Sequence, residues 1–217
     1  METVIITAGG IGKRMEANLP KQFLCIAGKP ILMHSIERFY SYNPNIQILL
    51  TLPKEWVSFW EELQLKHEFN IKHRIIEGGV ERFHSIQNAL AFATGSVVGV
   101  HDGVRPLVSE ATIKSCFTTA KKMGAAIPFL EINESMRMLG LGDSKSVPRK
   151  DFIRVQTPQC FEKELLINAY RQDFHDAITD DASLVEQLGV QIQLVAGNEE
   201  NIKITTPNDL KISELFI

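Results

Sequence analysis

The apolar run Val4-Ile5-Ile6 leads directly into Thr7-Ala8-Gly9-Gly10-Ile11-Gly12-Lys13-Arg14-Met15, and Pro20-Lys21-Gln22 follows shortly after. A short apolar run ending in glycines predicts a buried strand that opens into a tight turn. Glycine lets the backbone approach a ligand closely and turns successive N–H groups toward it. Lys13, Arg14 and Lys21 fall within nine residues, opposed only by Glu16. Amides and cations gathered where a strand ends make a site for a polyphosphate.

Two other phosphate loops are excluded by spacing. A P-loop, G-x-x-x-x-G-K-[ST], would need glycine at position 7 and serine or threonine at 14, which are Thr7 and Arg14. The dinucleotide pattern G-x-G-x-x-G, begun at Gly10 and Gly12, would need its third glycine at Met15.

The rest of the chain alternates strand and helix patterns. Ile46 to Leu52 reads as a strand before Pro53, and Ile71 to Ile76 as a shorter one ending at Gly78-Gly79. Phe83, Ile86, Leu90 and Ala93 recur at helical steps, which predicts a helix stopping near Gly95. Val97 to Asp102 is a buried strand with an acid at its end, and Ala125-Ala126-Ile127-Pro128 begins another. Thr179-Asp180-Asp181-Ala182 caps a helix that carries Val185 and Leu188 and closes at Gly189. Val190, Ile192 and Leu194 alternate as in a half-buried strand, and Thr206-Pro207-Asn208-Asp209 starts a final helix. This is βα repetition, so the expected fold is α/β: a Rossmann-like, mostly parallel sheet flanked by helices, forming one domain over residues 1–217. Ligands in such sheets bind beyond the carboxyl ends of strands. The glycine-rich turn, Gly78-Gly79 and Asp102 all fall at strand ends and can share one crevice.

Composition narrows the function classes. No apolar run reaches the length of a membrane span, and no charged-then-apolar leader pattern opens the chain, so a cytoplasmic protein is expected. Cys25, Cys116 and Cys160 lie far apart, with neither disulfide nor zinc spacing. The net charge of −3 argues against broad nucleic-acid binding, so an anionic substrate must be met by local cations.

Glu131 to Arg154 breaks the βα pattern. Ser135-Met136-Arg137-Met138-Leu139 and Val147-Pro148-Arg149 flank a Gly-rich bend, Gly140 to Ser146, which predicts a protruding β-hairpin. An isolated two-stranded hairpin is marginal in water, so its apolar residues need a surface. The pattern alone leaves open whether its own domain or a second subunit supplies one.

Further constellations bear on chemistry. Gly78-Gly79-Val80-Glu81-Arg82-x-x-Ser85 joins a strand exit to a helix start, where glycine amides and a first-turn serine can read a nucleobase edge. His101-Asp102-Gly103-Val104-Arg105-Pro106 places a carboxylate after a buried strand. Magnesium is commonly held by one or two carboxylates plus phosphate oxygens, which makes Asp102 a candidate ligand. Its alternative is a turn-forming aspartate. Gln156-Thr157-Pro158-Gln159 and Asn201-Ile202-Lys203-Ile204-Thr205 say little by composition.

Together these blocks resemble the 2-C-methyl-D-erythritol 4-phosphate cytidylyltransferases of the non-mevalonate isoprenoid pathway. The matching motifs are A-G-G-x-G-K-R-M with P-K-Q, G-G-x-E-R-x-x-S, H-D-x-x-R-P, Q-T-P-Q-x-F, T-D-D-A-S and N-I-K-I-T-x-P-x-D-L, in order from residue 8 to 210. The resemblance implies an enzyme that joins CTP to a polyol phosphate and releases pyrophosphate, using magnesium (Mg2+). Its catalytic cations fall on Arg14, Lys21, Arg149 and Lys203, the last two positioning the acceptor phosphate. Cytidine contacts fall on Ala8, Gly79 and Ser85, and triphosphate contacts on Gly9, Gly10 and Gly12. The metal acid falls on Asp102, Thr157 faces the acceptor, and Arg82, Arg105 and Ser135 complete the substrate-binding set. The hairpin, at about 131–154, is in this family an arm that embraces the partner of a homodimer and completes its active site. With the match running so near the end of the chain, no fused downstream cyclase domain is expected.

Two positions depart from the family's pattern. Glu134-Ser135 stands where the arm often has Asp-Thr, and the serine keeps the hydroxyl. Gly103 stands where Ala is frequent. The chemistry agrees with the resemblance on its own terms. A phosphate monoester has a second pKa of about 6, so the acceptor is largely a dianion at neutral pH and attacks without a general base. Such a site needs positioning and charge stabilisation. The ribitol 5-phosphate cytidylyltransferases share the loop and the K-I-T-T tail, but the intact T-D-D-A-S-L-V-E block favours the isoprenoid enzyme. A non-catalytic nucleotide-binding regulator would not need Arg14, Lys21, Asp102, Arg149 and Lys203 together.

Overall fold

A computed structural model describes residues 1–10, 19–175 and 177–217. The strands are β1 (Glu2–Thr7), β2 (Cys25–Ile26), β3 (Lys29–Pro30), β4 (Gln47–Leu52), β5 (Arg74–Glu77), β6 (Val97–Asp102), β7 (Ala125–Glu131), β8 (Met136–Leu139), β9 (Ser144–Val147), β10 (Ile153–Val155), β11 (Gln159–Glu162) and β12 (Gln193–Ala196). The helices are α1 (Ile31–Tyr42), α2 (Val57–Lys66), α3 (Arg82–Leu90), α4 (Glu110–Met123), α5 (Lys163–Ala169), α6 (Asp181–Glu186) and α7 (Pro207–Ser213).

Eight strands form one sheet in the order β10-β7-β11-β6-β1-β4-β5, with β12 also paired to β7. The block β6-β1-β4-β5 is parallel, as the βα repetition predicts. The expectation of a mostly parallel sheet holds for this centre. On its other side β11 runs antiparallel to both β6 and β7, β10 antiparallel to β7, and β12 parallel to β7.

The period of two along β1 divides the core. Val4 and Ile6 pack on one face with Leu32, Met33, Ile36 and Phe39 of α1, Trp60 of α2 and Ile113, Cys116 and Phe117 of α4. Ile5 packs on the other face with Phe83, Ile86 and Ala89 of α3, Leu166 of α5 and Leu184 and Val185 of α6. A strand residue and its neighbour point to opposite faces, so a continuous apolar run is what a sheet covered on both sides demands.

Local chemistry ends the helices where the sequence says, with shifts of a few residues. Ser109 caps α4 by accepting from the Thr112 N–H at 3.0 Å, and Gly124, at φ +92°, closes it. Asp180 and Ser183 form a capping box on α6, and Thr206 and Asp209 form another on α7 with Pro207 at its first turn. Helix α6 stops at Glu186, before Leu188; α3 stops at Leu90, short of Gly95; β5 starts only at Arg74. Strands β8 and β9 pair as a two-stranded ribbon, from Met136↔Val147 to Leu139↔Ser144. Its second strand thus takes up Ser144 to Ser146, part of the expected bend. Met138, Leu139 and Leu141 are exposed on it.

Candidate active site

The carboxyl ends of β1, β4, β5 and β6 open into a cleft of about 550 Å³. Thr7, Ala8, Gly9 and Gly10 form one wall with Lys21 and Gln22. Gly79, Val80, Glu81, Arg82 and Ser85 form another, and Asp102, Val104 and Lys203 close the end. Each loop is pinned to the strand beside it. The N–H groups of Ala8, Gly78 and Gly103 donate to the carbonyls of Thr51, Leu52 and Thr7.

Gln22 fixes the first wall. Its buried side-chain amide donates to the Ala8 carbonyl at 2.7 Å. That bond brings Lys21 beside the glycine turn, with its Cε 3.8 Å from where a side chain on Gly10 would begin. Gly79 is required by close approach: a Cβ there would lie 2.3 Å from the His84 Cβ. The Ser85 hydroxyl braces the same loop, accepting from the Gly79 N–H at 3.0 Å and donating to the Glu81 carbonyl at 3.1 Å.

Asp102 is the electrostatic centre. Its Oδ2 lies 3.1 Å from both Arg105 Nε and Lys203 Nζ, and its Oδ1 lies 3.9 Å from Arg82 Nε. Burial alone would push the carboxyl pKa up, but Arg82, Lys203 and Arg105 outweigh it and hold Asp102 well below the ordinary carboxylate range. Three cations face Asp102 and the Asp181 carboxylate that also holds Arg82, which leaves a net positive centre at a strand end.

A second lobe of about 270 Å³ meets the first at Arg82, Asp102 and Lys203. Val155, Gln156, Thr157, Gln159, Thr179, Asp180 and Arg105 line it. Strands β10 and β11 reach it through a bulge. Val155 pairs with Phe129 and Cys160 with Ala126, so five steps on one side match three on the other. The extra residues turn Thr157 inward. Its Oγ1 accepts from the Asp102 N–H at 3.1 Å and donates to His101 Nδ1 at 3.0 Å. His101 Nε2 in turn donates to the Arg105 carbonyl at 3.1 Å. Burial pulls the His101 pKa down to about 4, so the ring is neutral and this tautomer closes the network.

A family model described as 2-C-methyl-D-erythritol 4-phosphate cytidylyltransferase matches residues 2–217. The chain belongs to that family. It is 50% identical over 216 residues to the Bacteroides fragilis protein of that name, covering 99% of both chains. It is 48% identical over 217 residues to the Bacteroides thetaiotaomicron one, covering 100% of this chain and 99% of the other. The crystal structure of the Thermus thermophilus cytidylyltransferase superposes with a TM-score of 0.82 at 32% identity, over 99% of this chain and 98% of that one.

Within this cytidylyltransferase fold, Ala8, Gly9, Gly10, Lys21, Gly79, Arg82, Ser85, Asp102 and Lys203 gather on the main cleft, and Arg105 and Thr157 on the second lobe. Gly12 and Arg14 lie outside the described residues. Arg149 and Ser135 are exposed and line neither lobe; Arg149 donates to the Asn133 carbonyl. Arg105 is largely a brace, bound to Asp102 and, through Nη1, to the Asn201 carbonyl at 2.8 Å. Sequence reasoning missed Asp181 as a partner of Arg82. The fully buried Asp181 carboxylate accepts from Arg82 Nη1 at 2.9 Å and Nη2 at 2.7 Å, and also from the Tyr170 hydroxyl. The second acid of T-D-D-A-S was the available signal, since one acid suffices for the cap. Gln159 holds the same helix start, donating to Asp180 at 2.8 Å and accepting from the Ala182 N–H at 3.0 Å.

Proposed function

We propose that this chain joins CTP to 2-C-methyl-D-erythritol 4-phosphate, giving the CDP-linked polyol and pyrophosphate in isoprenoid precursor synthesis. The observation that carries the reading is the meeting of two lobes at Asp102, ringed by Arg82, Arg105 and Lys203, with Lys21 and the glycine turn on the larger lobe. The larger lobe takes the nucleotide and the smaller one the acceptor. An oxygen of the acceptor phosphate attacks the α-phosphorus, the bond from that phosphorus to the β-bridging oxygen breaks, and pyrophosphate leaves. The acceptor enters as a dianion, so no proton has to be removed first. Lys21 and Lys203 hold the phosphates in line and meet the charge that builds on them.

Asp102 fits magnesium. It is a single ionised carboxylate facing the cleft, and Mg2+ is commonly held by one or two carboxylates with substrate phosphates and water. Among the described residues no group of three or more His, Cys, Asp or Glu forms an all-protein cage. When bound, the ion neutralises phosphate charge. Arg82, Arg105 and Lys203 keep Asp102 ionised for it.

The β8-β9 ribbon, with its exposed Met138, Leu139 and Leu141, is the arm of a homodimer in this reading. It carries Ser135 and Arg149 to the partner's acceptor lobe. No helix among the described residues is long and apolar enough to cross a membrane, in keeping with work on dissolved substrates. The test is pyrophosphate release from CTP with methylerythritol phosphate and ribitol 5-phosphate offered separately, with and without EDTA. Faster turnover of ribitol 5-phosphate refutes the acceptor, and full activity in EDTA refutes the metal.

A further inference from the structure

Three hydroxyl-bearing side chains line the nucleotide cleft, Thr7 and Thr51 from the strand ends and Ser85 from α3. Thr7 and Thr51 belong to one row across the strand ends. Asp102 pairs with Thr7, Thr7 with Thr51, and Thr51 with Ile76. Residues paired across parallel strands share a face, and the residues two before them, Val100, Ile5 and Leu49, all belong to the core cluster that holds Phe83, Ile86, Ala89 and Leu90 of α3. The row therefore turns toward α3, the helix that bears Ser85.

Two of the three hydroxyls are committed. Thr7 Oγ1 donates to the His101 carbonyl at 3.4 Å, and Ser85 both accepts and donates inside its own loop. Thr51 is buried, and its Oγ1 has no hydrogen-bond partner among the described residues. A buried hydroxyl without a partner is destabilising, so its presence in the cleft wall calls for a partner that comes with a ligand.

Position says which part of the ligand. Asp102, Lys203 and Lys21 mark the phosphate end. Thr51 lies two strands from Asp102, roughly 10 Å at the usual strand spacing. A nucleoside, ribose plus base, spans that interval. The Ala8 carbonyl, the neighbouring polar group on this wall, is already taken by Gln22. We propose that Thr51 is a specificity-determining residue whose hydroxyl turns to hydrogen-bond the nucleobase edge of the bound nucleotide. The inference rests on the proposal that CTP occupies this cleft.

The experiment measures calorimetric binding of CTP and of inorganic triphosphate to wild type, Thr51→Val and Thr51→Ser. Valine keeps the shape and removes the hydroxyl; serine keeps the hydroxyl. One neutral hydrogen bond predicts about threefold to tenfold weaker CTP binding by Thr51→Val. Triphosphate binding is unchanged, serine restores CTP affinity, and ligand-free Thr51→Val melts at or above wild type because an orphaned hydroxyl is gone. Equal CTP binding by wild type and Thr51→Val overturns the role of Thr51. Parallel loss of both ligands, no rescue by serine, or a ligand-free Thr51→Val that melts well below wild type overturns it too. A wild type that binds no CTP refutes the function itself.

Discussion

Asp181→Asn tests the reading of the site through a residue that need not touch substrate. The carboxylate is fully buried at the start of α6 and holds both terminal nitrogens of Arg82, at 2.9 and 2.7 Å, across the cleft-facing end of α3. Asparagine keeps the volume but loses the charge and turns an amide donor toward the guanidinium. Removing one partner of a buried ion pair typically costs about 3–5 kcal/mol. Arg82 keeps 37% of its side chain exposed, so water recovers part of its hydration, and Asp102 stands 3.9 Å from its Nε as a second partner. The expected loss is therefore about 2–3 kcal/mol. For a chain of this size that lowers the melting temperature by roughly 4–12 °C. A freed Arg82 swings toward Asp102 and loosens the Gly79 loop, so CTP binding weakens as well. A thermal-melt double-mutant cycle with Arg82→Met isolates the pair. An Asp181→Asn protein that melts like wild type, or a cycle with no coupling, refutes the argument.

Lys21→Ala should fold normally and lose about 10²-fold in kcat, the usual effect of removing a donor that meets transition-state charge; a near-normal kcat removes Lys21 from the mechanism. His101 gives a pH signature. Its folded pKa is lowered to about 4 by burial, so the unfolded chain takes up a proton that the folded chain refuses once pH falls below the ordinary histidine value. The His101 contribution is thus complete above about pH 6.5 and shrinks by about 3 kcal/mol by pH 4, and urea melts of wild type against His101→Asn should show the variant's stability falling less over that window. Asp102, held below the ordinary range, adds acid lability only below about pH 4. For the arm, two inactive variants, Lys21→Ala and Arg149→Ala, should regain activity when mixed, because one site of the heterodimer receives neither lesion. No recovery despite proven subunit exchange refutes a shared site.

The amino-acid sequence alone determined the parts of this protein that obey local rules. Val4-Ile5-Ile6 is apolar at every step because β1 is covered on both faces, and the glycines after it mark the strand exit. Asp180 and Thr206 announced their helices because capping is chemistry over three residues. Thr7, Gly79 and Asp102 were legible as strand-end residues for the same reason. What only the tertiary structure decided is which of those ends meet and what holds them. Lys203 reaches Asp102 across the whole domain, Asp181 grips Arg82 over a separation of 99 residues, and the bulge between β10 and β11 hands Thr157 to Asp102 over 55. None of these pairs has a spacing that a local pattern encodes. Sheet order and register choose them, because β11 enters antiparallel beside β6 where βα repetition predicts another parallel strand. Only that insertion puts Thr157 next to Asp102, and with it the boundary between the two lobes.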